Sequence, residues 1–204
     1  MTTRTLRIGE GKFVGSTHPV LQAAMDALAA AGGGVLEIPA GTYWMNYSLH
    51  LRDRVTVIGE SGTVLKKVPS VTSKAAHYLG YGHYEFAVAE PENFAVGMGV
   101  HLTDNRAGGF YDTVGTIVER KGDLFFIDRM LNADYNPRQQ GRVTSIFPLV
   151  SICEVRDATV RGLTLDGNPD ETQRLNGCRG GGVFLLQSHS ARLENLEITN
   201  YRGD

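Results

Sequence analysis

Residues 158–165 read ATVRGLTL, and residues 191–198 read ARLENLEI, the same pattern 33 positions later. An earlier segment, VTVIG at residues 55–59, matches the first five positions of both copies. Each copy begins with a short strand pattern that ends at a small or turn-forming residue, and the two later copies continue into a second strand. Because one copy cannot bury its own apolar side chains, the copies are expected to stack and share one core. The repeat therefore predicts a solenoid of short parallel strands, a parallel β-helix.

A helix pattern precedes the first strands, over residues 18–34. Four apolar residues recur there at the spacing i, i+3, i+4, i+7 of one helix face: Leu21, Ala24, Met25 and Leu28. Pro19 suits the first helical turn, and Gly32 supplies a left-handed stop. The following segment, VLEIPAGTYWM at residues 35–45, reads as two short strands around a Pro-Ala-Gly turn. Residues 1–67 are thus predicted to form a helix and the first coils.

The coil pattern disappears between residues 68 and 145, and it resumes over residues 146–204. The middle segment predicts a small, barrel-like module of four or five antiparallel strands, with a polar surface loop at residues 69–85. One interpretation is a structural appendage or an oligomer contact. The other is that the module forms one wall of a substrate groove, because insertions on rigid scaffolds often carry function.

Composition excludes several classes of protein. The 204 residues include 20 Lys and Arg against 22 Asp and Glu, so no basic surface suited to nucleic acid is expected. No apolar run reaches the ~18–20 residues of a membrane span, and the first residues lack the apolar stretch of a signal peptide. The two cysteines, Cys153 and Cys178, exclude a disulfide scaffold and are expected to be small buried side chains.

Four N-terminal segments form a further pattern: AAMDA at 23–27, GGGV at 32–35, IPAGTY at 38–43 and VTVIG at 55–59. Together they resemble the first coil of the pectin-lyase-like, right-handed β-helix superfamily, and LDGN at 165–168 is similar to a turn common among its hydrolases. The resemblance covers residues 18–67 and 146–204. It implies an all-β, right-handed parallel β-helix whose N-terminal helix caps the open end of the stack.

The same resemblance implies a carbohydrate-active protein. A polysaccharide lyase neutralises a uronic acid carboxylate, with Ca²⁺ or cationic side chains, and takes a proton with a base. An inverting glycoside hydrolase uses two carboxylates about 6.5–9.5 Å apart. The expected function is therefore a lyase or hydrolase acting on an acidic, uronic-acid-containing polysaccharide, and no resident metal is predicted apart from Ca²⁺ in the lyase case. The alternative is a non-catalytic adhesin or tail-spike-like protein that binds polysaccharide.

The densest ionisable cluster follows the strand at residues 163–165. The cluster and three residues outside it give two sets of candidates. The catalytic set is Asp166, Asp170, Arg179 and His189, and the substrate-binding set is Arg174, Tyr81 and Tyr84. Structural roles compete with each of these. Asp166 belongs to an Asp-Gly-Asn turn, the two arginines are suited to solvating a loop, His189 lies at a coil corner, and exposed loops commonly carry tyrosines.

The sequence lacks the Asn-Thr-Asp and Gly-x-Asp-Asp blocks of polygalacturonase-like hydrolases, and the Asp-His block of pectate lyases. It ends at what reads as a new corner, residues 201–204. We therefore expect catalytic coils beyond residue 204 and an exposed apolar edge on the last coil, which a second chain or copy would cover. A secreted or periplasmic location suits the polysaccharide substrate.

Overall fold

The computed structural model describes residues 4–106, 111–175 and 180–201. Strand β1 (Thr5–Arg7) and helix α1 (His18–Ala30) come first in the chain. The first coil, meaning one pass through the three sheets described below, follows with β2 (Gly34–Ile38), β3 (Gly41–Met45) and β4 (Leu49–His50). The second coil begins with β5 (Val55–Gly59) and β6 (Thr63–Lys67).

Six strands and two 3₁₀ turns (Pro91–Asn93 and Pro137–Gln139) then interrupt the second coil. The six strands are β7 (Thr72–Lys74), β8 (Glu85–Ala87), β9 (Gly99–Thr103), β10 (Thr113–Lys121), β11 (Leu124–Ile127) and β12 (Arg142–Ser145). The coils resume with β13 (Val150–Cys153), β14 (Thr159–Arg161), β15 (Thr164–Asp166), β16 (Val183–Leu186), β17 (Arg192–Glu194) and β18 (Glu197–Thr199). Over the described ranges the protein is mostly β with one α-helix.

The coil strands form three parallel sheets. Their orders are β1-β2-β5-β14-β17, β3-β6-β15-β18 and β4-β13-β16. Val160 pairs with Val57 on one side and with Leu193 on the other, so the three sequence copies lie in register. The predicted stacking of these copies into parallel sheets is confirmed.

Left-handed backbone residues mark the corners between strands. Asp157 and Ser190 both have φ 56°, and Gly162 (70°) stacks with Asn195 (51°) at the next corner. At Gly162 the backbone passes so close to Gly59 that an added Cβ would lie 2.6 Å from the Gly59 carbonyl oxygen. The small residue that ends the repeat pattern is thus required by the close approach of two coils.

The core lies between the three sheets. Alternate residues point inward and are fully buried, among them Leu36, Val57, Leu65, Val150 and Val160. The predicted helix is confirmed, and its apolar face packs into this core through Leu21, Ala24, Met25 and Leu28. Burying each of the larger side chains contributes about 1.5–3 kcal/mol.

The inserted strands form one antiparallel sheet in the order β7-β12-β9-β10-β11-β8. A bridge between Ala75 and Val88 joins its two outer strands and closes the sheet into a six-stranded barrel. Its own core includes Phe86 and Phe125, whose rings stack 5.2 Å apart. The barrel has six strands where four or five were predicted, and the expected loop at residues 69–85 contains one of them, β7.

The last coil exposes apolar side chains. Leu185 is 48% exposed, Leu193 44% and Ile198 51%, although the residues that pair with them in the preceding coil are buried. Inward positions lose their cover where no further described strand follows. These exposures match the expected apolar edge.

Candidate functional site

A groove of about 330 Å³ lies between the outer face of the β4-β13-β16 sheet and the barrel. His50, Ser151 and Phe184 line it from the parallel sheet, and Val114 and Thr116 line it from β10. Segment 146–148, which returns from the barrel to the coils, also contributes to its lining. We call this cavity the groove.

The alternation of side chains along the strands determines which residues of the parallel sheet face the groove. Ser151 pairs with His50 in β4 and with Phe184 in β16, so the three side chains form one row across the sheet. Their neighbours Leu49 and Val150 are fully buried on the opposite face. Because successive side chains of a strand point to opposite faces, burying these leucine and valine residues directs His50, Ser151 and Phe184 outward into the groove.

The wall of the groove formed by the barrel requires a glycine at residue 99. Gly99 in β9 pairs with Thr116 in β10, and both line the groove. A Cβ added to Gly99 would lie 2.0 Å from the carbonyl oxygen of Ile146. Only glycine therefore lets the barrel approach the returning segment this closely.

Two carboxylates line the groove from different parts of the fold. Asp128 follows β11, and its Oδ1 accepts a hydrogen bond from the backbone N–H of Thr116 at 2.8 Å. Glu154 follows β13 with φ 56°, and its backbone N–H donates to the carbonyl of Leu186 at 2.9 Å. None of the described lining residues is Lys or Arg. The described lining therefore contains two carboxylates and no lysine or arginine, and Nε of Arg129, which is not part of the lining, lies 3.5 Å from Oδ1 of Asp128.

Burial lowers the pKa of His50, and the nearby Arg52 lowers it further. The imidazole is therefore neutral at pH 7 and has a free electron pair for accepting a proton. Its backbone is fixed by Gln22 of α1, whose Oε1 accepts from the His50 N–H at 2.9 Å and whose Nε2 donates to the His50 carbonyl at 3.1 Å. The helix thus holds one wall of the groove.

A hydrogen-bonded chain connects the barrel to the loop that follows β15. Nε2 of the buried His101 is 2.9 Å from Oδ2 of Asp112, and Nδ1 is 3.1 Å from Nε2 of Gln173. Thr103 donates to the other oxygen of Asp112 at 2.8 Å. With Nε2 as donor and Nδ1 as acceptor, both ring nitrogens are satisfied. This chain fixes the barrel against the third coil.

The sequence candidates near the Asp-Gly-Asn turn lie outside the groove. Oδ1 of Asp166 accepts from the Asn168 N–H at 2.9 Å and from Nδ2 of Asn200 at 3.0 Å, while Oδ2 is 3.7 Å from Nζ of Lys66. Burial acts to raise the pKa of Asp166, but these hydrogen bonds and the Lys66 charge outweigh it, so the pKa is lowered. Asp166 thereby joins two stacked corners.

The remaining candidates are dispersed. Asp170 and Arg174 are exposed on the loop after β15, and Arg179 lies outside the described residues. His189 is exposed at a corner, where its backbone bridges that of Arg156. Tyr81 and Tyr84 are exposed on the barrel, Tyr81 beside a second cavity and Tyr84 outside it.

Sequence reasoning missed the groove residues His50, Asp128, Cys153 and Glu154. The segments LHL at 49–51 and VSICE at 150–154 do alternate apolar and polar residues, which is the signal for an outward-facing row. Cys153 was expected to be buried, but it is exposed because it occupies an outward position of β13. Asp128 carried no comparable signal.

A calcium site would require several oxygen ligands, such as carboxylates, close together. Within the described ranges, no three His, Cys, Asp or Glu side chains come close enough together to hold a metal ion. We therefore assign no step to Ca²⁺.

Within the described ranges, no helix has the length and apolar character needed to cross a bilayer.

Comparison with known proteins gives structural matches alone. No family model matches the chain. No curated protein matches it significantly. Thirteen chains of solved structures match, at low identity.

Three of these matches illustrate the kinds of protein found and how similar they are. The tailspike of Pseudomonas phage phi297 has 15% identity and a TM-score of 0.36, over 87% of this chain and 30% of that one. The A-module of mannuronan C-5 epimerase AlgE6 from Azotobacter vinelandii has 19% identity and a TM-score of 0.47, over 91% and 34%. A putative glycosyl hydrolase from Parabacteroides merdae has 13% identity and a TM-score of 0.43, over 95% and 74%.

The chain thus spans about a third of the length of the tailspike and of the epimerase module. Tailspikes, an epimerase module and an exopolygalacturonase are among the matches. The fold that the sequence resemblance implied is a parallel β-helix. The evidence for that fold in this chain is its own strand pairing.

Proposed function

We propose that this protein is carbohydrate-active and binds a polysaccharide chain in the groove. The observation that carries the proposal is the placement of two carboxylates, Asp128 and Glu154, in a cavity between a rigid parallel sheet and the inserted barrel. Phe184 gives the same groove an aromatic surface, and His50 and Ser151 give it polar groups. Saccharides are recognised by this combination of an apolar face and directional hydrogen bonds.

The reaction that this lining supports best is glycoside hydrolysis. Hydrolysis requires one carboxylic acid to protonate the leaving oxygen and one carboxylate to activate water or attack the sugar. Asp128 and Glu154 provide such a pair from two separate elements of the fold. A lyase is the second candidate, because His50 is a neutral imidazole able to accept a proton.

The charge of the groove bears on the substrate. A uronic-acid polysaccharide remains the sequence prediction. The pairing of Asp128 with Arg129 offsets one negative charge of the groove, but the Glu154 carboxylate leaves a net negative charge that would repel an acidic sugar. We therefore propose that an uncharged stretch of the polysaccharide occupies the groove. Arg174, exposed on the neighbouring loop, is available for an acidic sugar further along the chain.

The proposal also covers the handedness of the coils, the role of the helix, the exposed edge of the last coil and the location of the protein. We propose one right-handed solenoid, because each sheet gains one strand from each successive coil. We propose α1 as its N-terminal cap, because the helix contacts β1 to β5 and buries its apolar face in the coil core. For the exposed edge of the last coil we propose a second chain or copy as its cover, and for the protein we propose a secreted or periplasmic location.

The experiment incubates the protein with neutral and acidic polysaccharides and measures binding, new reducing ends and the absorbance of unsaturated uronates. We expect reducing ends without unsaturated products, lost in both Asp128→Asn and Glu154→Gln. Glu119→Gln, an exposed carboxylate on β10 outside the groove, is the matched control and should retain activity.

Three other outcomes are informative. Unsaturated products would replace the hydrolase by the lyase. Binding that the groove variants weaken, with no product of either kind, would favour the non-catalytic, polysaccharide-binding alternative. Absence of binding to the whole panel would overturn the proposal.

A further inference from the structure

A second cavity lies on the barrel and shares no described lining residue with the groove. Its volume is about 390 Å³, within the range of small-molecule sites. Two tyrosines and four polar residues line it: Tyr81, Tyr111, Asp104, Arg106, Asn132 and Asp134. We call it the tyrosine cavity.

A buried carboxylate fixes the guanidinium in this cavity. The Asp104 side chain is 1% exposed, and its Oδ2 accepts from Nη2 of Arg106 at 2.8 Å and from Nε at 3.2 Å. Nη2 of Arg106 also donates to the carbonyl of Asp134 at 2.9 Å. The Arg106 side chain nevertheless remains 52% exposed. The guanidinium is therefore held in a fixed orientation while part of it still faces solvent.

The two tyrosines are anchored by their backbones. The Tyr81 N–H donates to Oδ1 of Asp134 at 2.8 Å, and the Tyr111 carbonyl accepts from the hydroxyl of Tyr135 at 2.5 Å. Their side chains are 64% and 65% exposed. Exposed aromatic rings on anchored backbones, beside fixed polar groups, are a feature of binding surfaces, because exposing such area to water is otherwise unfavourable.

The charges of the cavity select among ligands. Asp104 and Asp134 carry two negative charges against the single positive charge of Arg106, so the net charge of these three groups is negative. An anionic sugar would meet net repulsion, whereas an uncharged sugar presents hydroxyls to the exposed Arg106 and Asp134. The C–H face of a pyranose ring is apolar and suits the face of a tyrosine ring.

We propose that the tyrosine cavity is a second saccharide-binding site, selective for an uncharged pyranose of a polysaccharide. Tyr81 and Tyr111 supply stacking surfaces, and Arg106, Asn132 and Asp134 supply hydrogen bonds to the hydroxyls. The site needs no chemistry in the groove, so it stands whether the groove is catalytic or not. Its effect is to hold a polysaccharide on the barrel.

The test is calorimetric titration of the whole chain with maltohexaose, mannohexaose and a hexamer of galacturonic acid. Tyr81→Ala and Tyr111→Ala are compared with Tyr84→Ala, since Tyr84 is 52% exposed on the same barrel but outside the cavity. Glu154→Gln reports on the groove. We expect at least one neutral hexamer to bind, with affinity lowered about three- to tenfold in each cavity variant and unchanged in Tyr84→Ala.

Several results would overturn the proposal: no neutral hexamer binds the folded wild type, the cavity variants bind like wild type, Tyr84→Ala is affected equally, or the acidic hexamer binds best. Binding lost in Glu154→Gln alone would assign the saccharide to the groove and leave the tyrosine cavity without a ligand. Melting curves of all variants confirm that each is folded.

Discussion

Nδ1 of His101 lies 3.1 Å from Nε2 of Gln173, which joins the middle of the barrel to a loop of the third coil. The two residues are 72 positions apart, and His101 is 4% exposed. Because the groove lies between barrel and coils, this bond helps to set the distance between its walls. It also helps to fix the orientation of the barrel against the coils.

Replacing Gln173 by alanine should loosen the barrel. The variant leaves a buried imidazole nitrogen without a partner, for a loss of about 1–2 kcal/mol in the free energy of unfolding. Hydrogen exchange of β9 should become faster than that of the coil strands. Arg174→Ala, at the exposed next position, is the control and should change stability by less than about 0.5 kcal/mol. Equal effects of the two variants would contradict a bond that holds the barrel.

Because of Lys67, the free energy of unfolding should increase as the pH rises into the alkaline range. This lysine occupies an inward position of β6 at 5% exposure, and burial lowers its pKa to about 8. Below pH 8 the folded protein must keep this charge buried, a cost of about 3 kcal/mol. Between pH 8 and the unfolded pKa of 10.5 the unfolded chain binds the extra proton, so the cost is relieved and stability rises with pH.

The variant Lys67→Met should therefore be more stable than wild type at pH 7. The gain is expected to be of the order of 1–2 kcal/mol, because the methionine also loses the contacts of Nζ with the rings of Phe147 and Tyr201. Lys66→Met, on the opposite face beside Asp166, is the matched control and should give no gain. Denaturant melts of the three proteins at pH 7 and pH 10 measure the difference. A destabilised Lys67→Met protein at pH 7 would show that the charge contributes favourably.

His18 should make the protein sensitive to acid. Burial lowers its pKa to about 4, and its Nε2 lies 3.0 Å from the carbonyl of Ser48. As pH falls from 6.5 toward 4, the unfolded chain binds a proton that the folded protein does not, so stability decreases by about 3 kcal/mol. His18→Gln retains a donor for Ser48 and should flatten this decrease. A variant with the same pH dependence as wild type would exclude His18 as its source.

The close approach of Gly162 and Gly59 tests the stacking of the coils. Gly162→Ala should destabilise the protein by at least about 2 kcal/mol, since the residue has φ 70° and its new Cβ would meet the Gly59 carbonyl. Gly122→Ala has a similar φ of 62° with nothing within 4 Å of the added atom. It should cost only about 1 kcal/mol, and thermal melting would separate the two. Similar losses would mean that the coils do not approach here.

Much of the fold could be predicted from sequence, because its determinants are local. The 33-residue repeat places Val160 opposite Leu193, and the helix spacing identifies Leu21 and Met25 as core residues. The site could not be predicted in the same way. Asp128 and Glu154 face one cavity because the barrel folds back on the coils, and nothing in the local pattern around Asp128 indicates that contact.

The dense charge cluster around Asp166 shows why sequence alone does not distinguish a turn from a binding site. Charges that are close in sequence favoured this loop as a site, yet the Asp166 carboxylate is engaged by Asn168 and Asn200 in stacked corners. Turn formation and ligand binding favour the same residue types, so composition cannot separate them. The candidate roles of all seven residues remain predictions: Asp166, Asp170, Arg179 and His189 in catalysis, and Arg174, Tyr81 and Tyr84 in substrate binding.

Occupation of the groove by polysaccharide is measured most directly by alkylation of Cys153, whose side chain is exposed and lines the groove. The rate of its reaction with iodoacetamide is followed by peptide mass spectrometry, which separates it from Cys178, with and without polysaccharide. We expect a saturable decrease in the Cys153 rate that Phe184→Ala weakens. An unchanged rate at polysaccharide concentrations that saturate binding would contradict the placement of the substrate in the groove.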